Sequence, residues 1–152
     1  ALYATDGDVP EESYTIPFGE ANIVREGDDV TIVALGRMVS HAKQVADTLA
    51  KDGISCEIID PRTTSPFDED TVLESVDNTG HLVIVDESNP RCSMATDSSS
   101  IVAHKGFGDL KAPIELVTAP HAPVPFSGAL EDLYITSPEK IEAAVRKTVA
   151  YA

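Results

Sequence analysis

The sequence lacks long apolar runs and is poor in cysteine, and both shortages limit what kind of protein it is. Its clearest unbroken apolar runs, 32–35 and 82–85, have four residues each, whereas a membrane-spanning helix needs about 20. Residues 1–6 contain neither a basic residue nor an apolar block, so we expect no secretory signal. Two cysteines in such a chain are typical of reduced thiols. We therefore expect a soluble protein of the cytoplasm.

Basic residues are also scarce. Eleven lysines and arginines stand against 26 aspartates and glutamates, which gives a net charge of −15. A protein that binds DNA or RNA needs clustered basic residues to displace counterions from the phosphates, and an anionic membrane surface makes the same demand. The sequence contains no such cluster, so we expect neither nucleic acid nor a membrane as partner. A basic protein partner suits the acidity; the alternative is that the acidity only keeps the protein soluble.

The common catalytic and phosphate-binding motifs are missing as well. No G-x-G-x-x-G follows a strand, and no G-x-x-x-x-G-K-[ST], G-x-S-x-G or H-E-x-x-H occurs. The four histidines are scattered and show no metal-ligand spacing. The 152 residues are enough for one domain with a substantial core. We therefore expect a single globular domain that is not a self-contained enzyme of a common motif class.

The pattern of apolar residues predicts alternating strands and helices. Strands are predicted at 29–35, 54–59, 82–85 and 114–117, with a short edge strand within 21–25. Helices are predicted at 39–49, 69–79, 94–105 and 138–149. Such alternation is typical of a three-layer α/β/α fold with a mainly parallel sheet. Residues 1–20 are rich in glycine, proline and acidic residues and are predicted to form a linker or arm before a domain at 21–152.

Helix ends are predicted from capping residues. Asp68 is a plausible N-cap and Gly80 a stop for the second helix, while Gly53 ends the first. Ser137 followed by Pro138 begins the last helix. The third helix is the least regular, because the serines at 98–100 compete for backbone hydrogen bonds.

A doubly wound sheet places ligands beyond the carboxyl ends of its parallel strands. The side chains predicted to gather at that edge are Arg37, Asp60, Arg62, Asp86, Glu87 and His121. Arg62 has the fork geometry that suits a carboxylate or a phosphate. The alternative is an internal ion-pair network that joins Arg62 to Asp60, Asp86 or Glu87. The proline-rich segment 120–127 is either a stiff docking loop or a structural crossover.

Several segments resemble one known family. They are YTIPFG (14–19), IVREG (23–27), VTIVA (30–34), IDPRTTSP (59–66), VDE (85–87) and LED (130–132). The chain resembles the carboxy-terminal domain of the beta subunit of thiamine-diphosphate-dependent 2-oxo acid dehydrogenase decarboxylase components, in the transketolase-like group. DPRTTSP (60–66), NPRC (89–92) and VTAPH (117–121) look most like its acetoin dehydrogenase branch. Pyruvate and branched-chain 2-oxo acid dehydrogenases, or a free-standing ligand-binding regulatory domain, are the alternatives.

The resemblance implies a role in assembly. Such beta subunits form heterotetramers with alpha subunits and a second beta subunit, and dock to the basic subunit-binding domain of a dihydrolipoamide acyltransferase core. Thiamine diphosphate and magnesium would be held by the alpha subunit and an amino-terminal beta domain. The resemblance therefore places no catalytic, cofactor or metal residue in this chain. Arg91, Glu131 and Asp132, in the matched segments, join the candidate cluster or interface.

Overall fold

The computed structural model describes residues 6–151, and its sheet is built from five short strands. The strands are β1 (Asn22–Arg25), β2 (Val30–Ala34), β3 (Cys56–Asp60), β4 (Leu82–Val85) and β5 (Glu115–Val117). The helices are α1 (Met38–Leu49), α2 (Glu69–Thr79), α3 (Met94–Lys105), α4 (Gly128–Tyr134) and α5 (Pro138–Val149). All predicted strands and helices are present, within a few residues of their expected ends. Only α4 was not predicted.

The sheet order is β1-β3-β2-β4-β5. β3, β2, β4 and β5 run parallel to one another, and β1 pairs antiparallel with β3 at one edge. The prediction of a mainly parallel sheet is therefore confirmed. Since the four parallel strands point the same way, their carboxyl ends lie along one edge of the sheet.

Helices cover both faces of the sheet, which confirms the three-layer architecture. Successive side chains of a strand point to opposite faces, and β2 shows this directly. Ile32 belongs to a core cluster with residues of α1 and α5. Val33 belongs to a second cluster with residues of α2 and α3. Because both faces of the central strands are covered, β2 and β4 are apolar almost without interruption.

The predicted cap of α2 is confirmed. The Asp68 carboxylate accepts the Thr71 N–H at 3.1 Å and the Ala21 N–H at 2.7 Å. Burial raises the pKa of this carboxyl, but the two N–H donors and the Thr71 hydroxyl outweigh that effect and hold the pKa below 3.8. One side chain therefore begins α2 and also fixes the chain that enters β1.

The serines at 98–100 lie within α3, which runs without a break over Met94–Lys105 as predicted. Ser93 and Thr96 form a capping box at the start of the helix. Ala95, Ser98 and Val102 are its buried residues, which places Ser98 among apolar neighbours. Tertiary packing on this face outweighs the low helix propensity of serine.

The first α-helix ends earlier than Gly53. It stops at Leu49, and a short 3₁₀ turn over Ala50–Asp52 leads to Gly53. Gly53 has φ 80° and caps that turn instead, because glycine adopts the left-handed region without a steric penalty.

Residues 6–20 contain no helix or strand. At the far end of this segment, the Gly19 N–H donates at 2.9 Å to the hydroxyl of Thr63, in the loop that follows β3. Phe18 just before it is 86% exposed. The division into an arm at 1–20 and a domain at 21–152 stays a prediction, and residues 1–5 and 152 lie outside the described part.

Candidate functional site

The strand-end edge brings two of the predicted site residues into one cavity. Asp60 ends β3 and Arg62 follows it two residues later. The cavity has a volume of about 300 Å³, and its lining is Leu35, Gly36, Asp60, Pro61, Arg62, Thr63 and Thr64. It therefore lies between the carboxyl ends of β2 and β3.

The backbone at Arg62 is unusual. Arg62 has φ 57°, a left-handed conformation that non-glycine residues seldom adopt. The Arg62 N–H donates to the Asp60 Oδ1 at 3.1 Å, and the Thr63 N–H donates to the Pro61 carbonyl at 2.5 Å. These two bonds hold a tight three-residue turn and leave the exposed Arg62 side chain beside the cavity.

The other strand-end residues do not join this cavity. Asp86, 7% exposed, accepts the Ser88 N–H at 2.9 Å and its hydroxyl at 2.6 Å, so its carboxylate is already occupied. Glu87 and His121 are exposed. Arg37 is half-buried at the start of α1.

The remaining candidates lie on later segments. Arg91 is exposed, and its N–H donates to the Asn89 side chain at 3.2 Å. Glu131 and Asp132 are exposed on α4. Of the nine candidate residues, Asp60 and Arg62 therefore line this cavity together. The other seven do not line it.

The internal ion-pair network that was the alternative for Arg62 is not formed. Among residues 6–151, the ion pairs join other residues, such as Arg25 with Asp47 and Arg146 with Glu142. None of the nine candidate residues takes part in one. Glu142 and Arg146, four residues apart on α5, are 2.8 Å apart, although pairs this exposed contribute little stability.

A second surface feature was not predicted in full. The proline-rich segment and α4 present an exposed apolar face, which we define as Val124, Phe126, Leu130 and Leu133. Phe126 is fully exposed, at 105% of its reference area. The Tyr134 hydroxyl donates to the Ala122 carbonyl at 3.0 Å, which ties the end of α4 back to the proline-rich segment.

Helix α4 carries acidic residues on the side away from its apolar ones. Leu130 and Leu133 are three residues apart on α4, so they lie on the same side of the helix. Glu131 and Asp132 lie between them in the sequence and are exposed. Exposed apolar side chains that are grouped in this way are typical of interaction surfaces.

The metal-ligating side chains and the two cysteine thiols bear on whether the chain holds a reactive site. Within residues 6–151, no three histidine, cysteine, aspartate or glutamate side chains come together as metal ligands would. Both cysteines are free thiols. Burial raises the pKa of the Cys56 thiol to about 11, which makes it a poor nucleophile. None of the helices described is long and apolar enough to cross a bilayer.

The sequence analysis missed a buried polar group beneath α2. Glu57 in β3 is 9% exposed and accepts the Ser75 hydroxyl. The Thr31 hydroxyl lies 2.6 Å from the Ser75 hydroxyl and 2.8 Å from the Thr79 hydroxyl. The one sequence signal was a glutamate inside an otherwise apolar strand.

Comparison with solved structures defines the class of protein. The fold matches the chain of a structure described as "Split gene transketolase, inactive beta4 tetramer", with a TM-score of 0.79 and 26% identity over 95% of this chain and 46% of that one. It also matches transketolase of Pichia stipitis, with a TM-score of 0.61 and 20% identity, which shows the fold alone. The chain is thus a doubly wound α/β domain of the transketolase type.

The family follows from the sequence comparison. Residues 19–141 match the family model "Transketolase, C-terminal domain", and the chain belongs to that family. It is 63% identical, over 97% of its length, to the beta subunit of acetoin:2,6-dichlorophenolindophenol oxidoreductase from Cupriavidus necator. The corresponding subunit from Bacillus subtilis is 53% identical over 91% of the chain. The beta subunit of the pyruvate dehydrogenase E1 component from Rickettsia felis is 43% identical over 99%.

The match covers less than half of each relative. The chain spans 44% of the Cupriavidus necator subunit, 41% of the Bacillus subtilis subunit and 46% of the Rickettsia felis subunit. The family resemblance stated from the sequence is confirmed, and so is the likeness to its acetoin dehydrogenase branch.

Proposed function

We propose that this chain is the carboxy-terminal domain of the beta subunit of a cytoplasmic, thiamine-diphosphate-dependent acetoin dehydrogenase complex, and that it holds subunits together. The observation that carries the proposal is the 63% identity to an acetoin oxidoreductase beta subunit, against 43% to a pyruvate dehydrogenase one. The parent complex would cleave acetoin and pass an acetyl-level fragment to a lipoyl group. The domain itself contributes assembly.

The exposed apolar face supports a role in subunit association. Burying apolar surface contributes about 25 cal/mol for each Å² removed from water, and aromatic anchors carry much of the affinity at interfaces. Phe126 and Leu133 are 105% and 74% exposed, so burying their side chains would contribute the most binding free energy on this face. We propose the alpha subunit and a second beta subunit as the chains that cover such surfaces.

The net charge of −15 supports docking to a basic partner. Opposite charges speed the encounter and fix the orientation of two proteins. We propose that this partner is the basic subunit-binding domain of the dihydrolipoamide acyltransferase core. Glu131 and Asp132, exposed on α4, are candidates for contact with it.

We propose that thiamine diphosphate and magnesium are held by the alpha subunit and by the amino-terminal part of the beta subunit. This assignment rests on the family resemblance, which places no cofactor residue in the carboxy-terminal domain.

Assembly is tested in the complete beta subunit, co-expressed with its alpha subunit. We expect Phe126→Asp combined with Leu133→Asp to shift the complex toward smaller species in sedimentation velocity, because each substitution places a charge at a buried interface. The matched control is Phe107→Asp, at an aromatic residue that is 75% exposed and lies outside the apolar face. If the double variant leaves the complex intact, or if Phe107→Asp dissociates it equally, the apolar face is not an interface.

Docking is tested by calorimetry of the chain with an isolated subunit-binding domain. We expect exothermic binding that weakens as salt is raised, because screening acts most strongly on exposed charges. The absence of heat at low ionic strength contradicts the docking role.

Substrate is tested on the reconstituted complex. Acetoin, pyruvate and branched-chain 2-oxo acids are supplied separately, and we expect acetoin to give the highest kcat/KM. If the parent is instead a pyruvate or branched-chain 2-oxo acid dehydrogenase, that substrate should give the highest kcat/KM. Turnover of acetoin by the isolated chain, without other subunits, would refute the assignment of the cofactor to the rest of the complex.

A further inference from the structure

The cavity beside Arg62 has the features of a small ligand site. It lies at the carboxyl ends of two parallel strands, where doubly wound folds bind ligands. Its volume of about 300 Å³ is at the lower end of the range for small-molecule sites. Its lining combines the apolar residues Leu35 and Pro61 with the polar residues Arg62 and Thr64.

Arg62 adopts a strained backbone conformation although its side chain is exposed. A left-handed φ of 57° at a side chain with a Cβ costs free energy, and such strain clusters at ligand-binding sites. Here the strain directs nothing into the core, since Arg62 is exposed. It holds the guanidinium side chain at the cavity, over the turn fixed by Asp60 and Pro61.

The Arg62 guanidinium is available to an anion. Arg62 takes part in none of the ion pairs among residues 6–151, although the chain carries an excess of carboxylates. The adjacent helix α1 begins at Met38 and has no acidic residue in its first turn. Asp60 also lines the cavity and keeps its negative charge while its Oδ1 accepts the Arg62 N–H, so binding depends on the guanidinium and not on the net charge of the cavity.

We propose that this cavity binds a small oxyanion, either a carboxylate or a phosphate group, through the Arg62 guanidinium. The planar fork of arginine matches two oxygens of either group. The Thr64 hydroxyl, which also lines the cavity, offers a further donor. This site goes beyond the assembly role and does not depend on it.

The proposal is tested by nuclear magnetic resonance on the ¹⁵N-labelled chain. Sodium phosphate and sodium acetate are titrated separately, against sodium chloride at matched ionic strength. We expect saturable shifts of the Gly36, Thr63 and Thr64 amides with at least one of the two anions. The two titrations distinguish a phosphate ligand from a carboxylate one.

Variants assign the binding to the guanidinium. Arg62→Gln is expected to abolish the saturable shifts, and Arg62→Lys to weaken them at least tenfold, because lysine keeps the charge but loses the fork. Lys51→Gln is the control, with the same change of charge beyond the far end of α1, a helix about 18 Å long at 1.5 Å per residue. Unchanged amide spectra elsewhere in each variant show that it is folded.

Two results would overturn the proposal. One is the absence of saturable shifts with both phosphate and acetate. The other is equal loss of binding in Arg62→Gln and Lys51→Gln, which would mean a response to net charge only. Because binding is measured on the chain without other subunits, failure here leaves the assembly role standing, and failure of assembly leaves this site standing.

Discussion

Ser75 provides the sharpest test of how the buried polar group beneath α2 stabilises the fold. Its hydroxyl donates to the Glu57 carboxylate and lies 2.6 Å from the Thr31 hydroxyl. Ser75 is 6% exposed and Glu57 9%. Water therefore has little access to replace the serine, and Ser75→Ala leaves the carboxylate short of a donor.

The expected loss can be estimated. A hydrogen bond to a charged group contributes about 1.5–3 kcal/mol, and the higher helix propensity of alanine returns about 0.5 kcal/mol. We expect Ser75→Ala to lower the free energy of unfolding by about 2 kcal/mol. For a chain of this size, the melting temperature should fall by about 4–8 °C.

The assay is urea unfolding followed by far-ultraviolet circular dichroism. The midpoint should fall while the slope m stays unchanged, because the surface exposed on unfolding is the same. Ser40→Ala is the matched control, at an exposed serine in α1, and we expect a change within about 0.5 kcal/mol. If both variants lose the same stability, the buried hydrogen bond does not contribute as argued.

Three further predictions concern other parts of the fold. Gly27→Ala places a Cβ 2.3 Å from the Cys56 carbonyl carbon, so we expect a loss of at least about 1–3 kcal/mol in urea unfolding; Gly108→Ala, with open space around it, should lose far less. Asp68→Ala should cost about 1 kcal/mol at neutral pH. Folding lowers the pKa of Asp68, so its carboxylate stabilises the fold at neutral pH, and this contribution is lost as the pH falls through the folded-state pKa. A difference in unfolding free energy between Asp68→Ala and wild type that does not change with pH would contradict this. A thiol reagent should label exposed Cys92 in the folded chain and buried Cys56 only after unfolding; equal rates would contradict that burial.

The predicted helix and strand positions succeeded where the signal was local. The apolar runs of β2 and β4 and the cap residues of α2 and α5 need only near neighbours in the chain. The short helix α4 was missed because proline-rich residues precede it and none of its residues is buried. Without a buried face, a helix leaves no apolar stripe in the sequence.

The candidate site was predictable only in part. Asp60 and Arg62 are two residues apart at the end of β3, so the predicted end of that strand already placed both at one edge of the sheet. Whether Arg62 would pair with Asp86 or stay unpaired depended on the direction of each side chain. The structure shows that Asp86 is occupied by Ser88 and that the strained turn holds Arg62 at the cavity.

The sequence alone determined where strands and helices follow one another along the chain, because periodicity and capping are properties of neighbouring residues. It also fixed the acidity through its composition, and the family through the segments that resemble it. Only the tertiary structure decided which groups meet across long separations. Thr31 and Ser75 are 44 residues apart in the chain, and they meet because the β2–β3 register sets Thr31 opposite Glu57 under α2. Such contacts depend on the packing of a helix against a sheet, which no local pattern specifies.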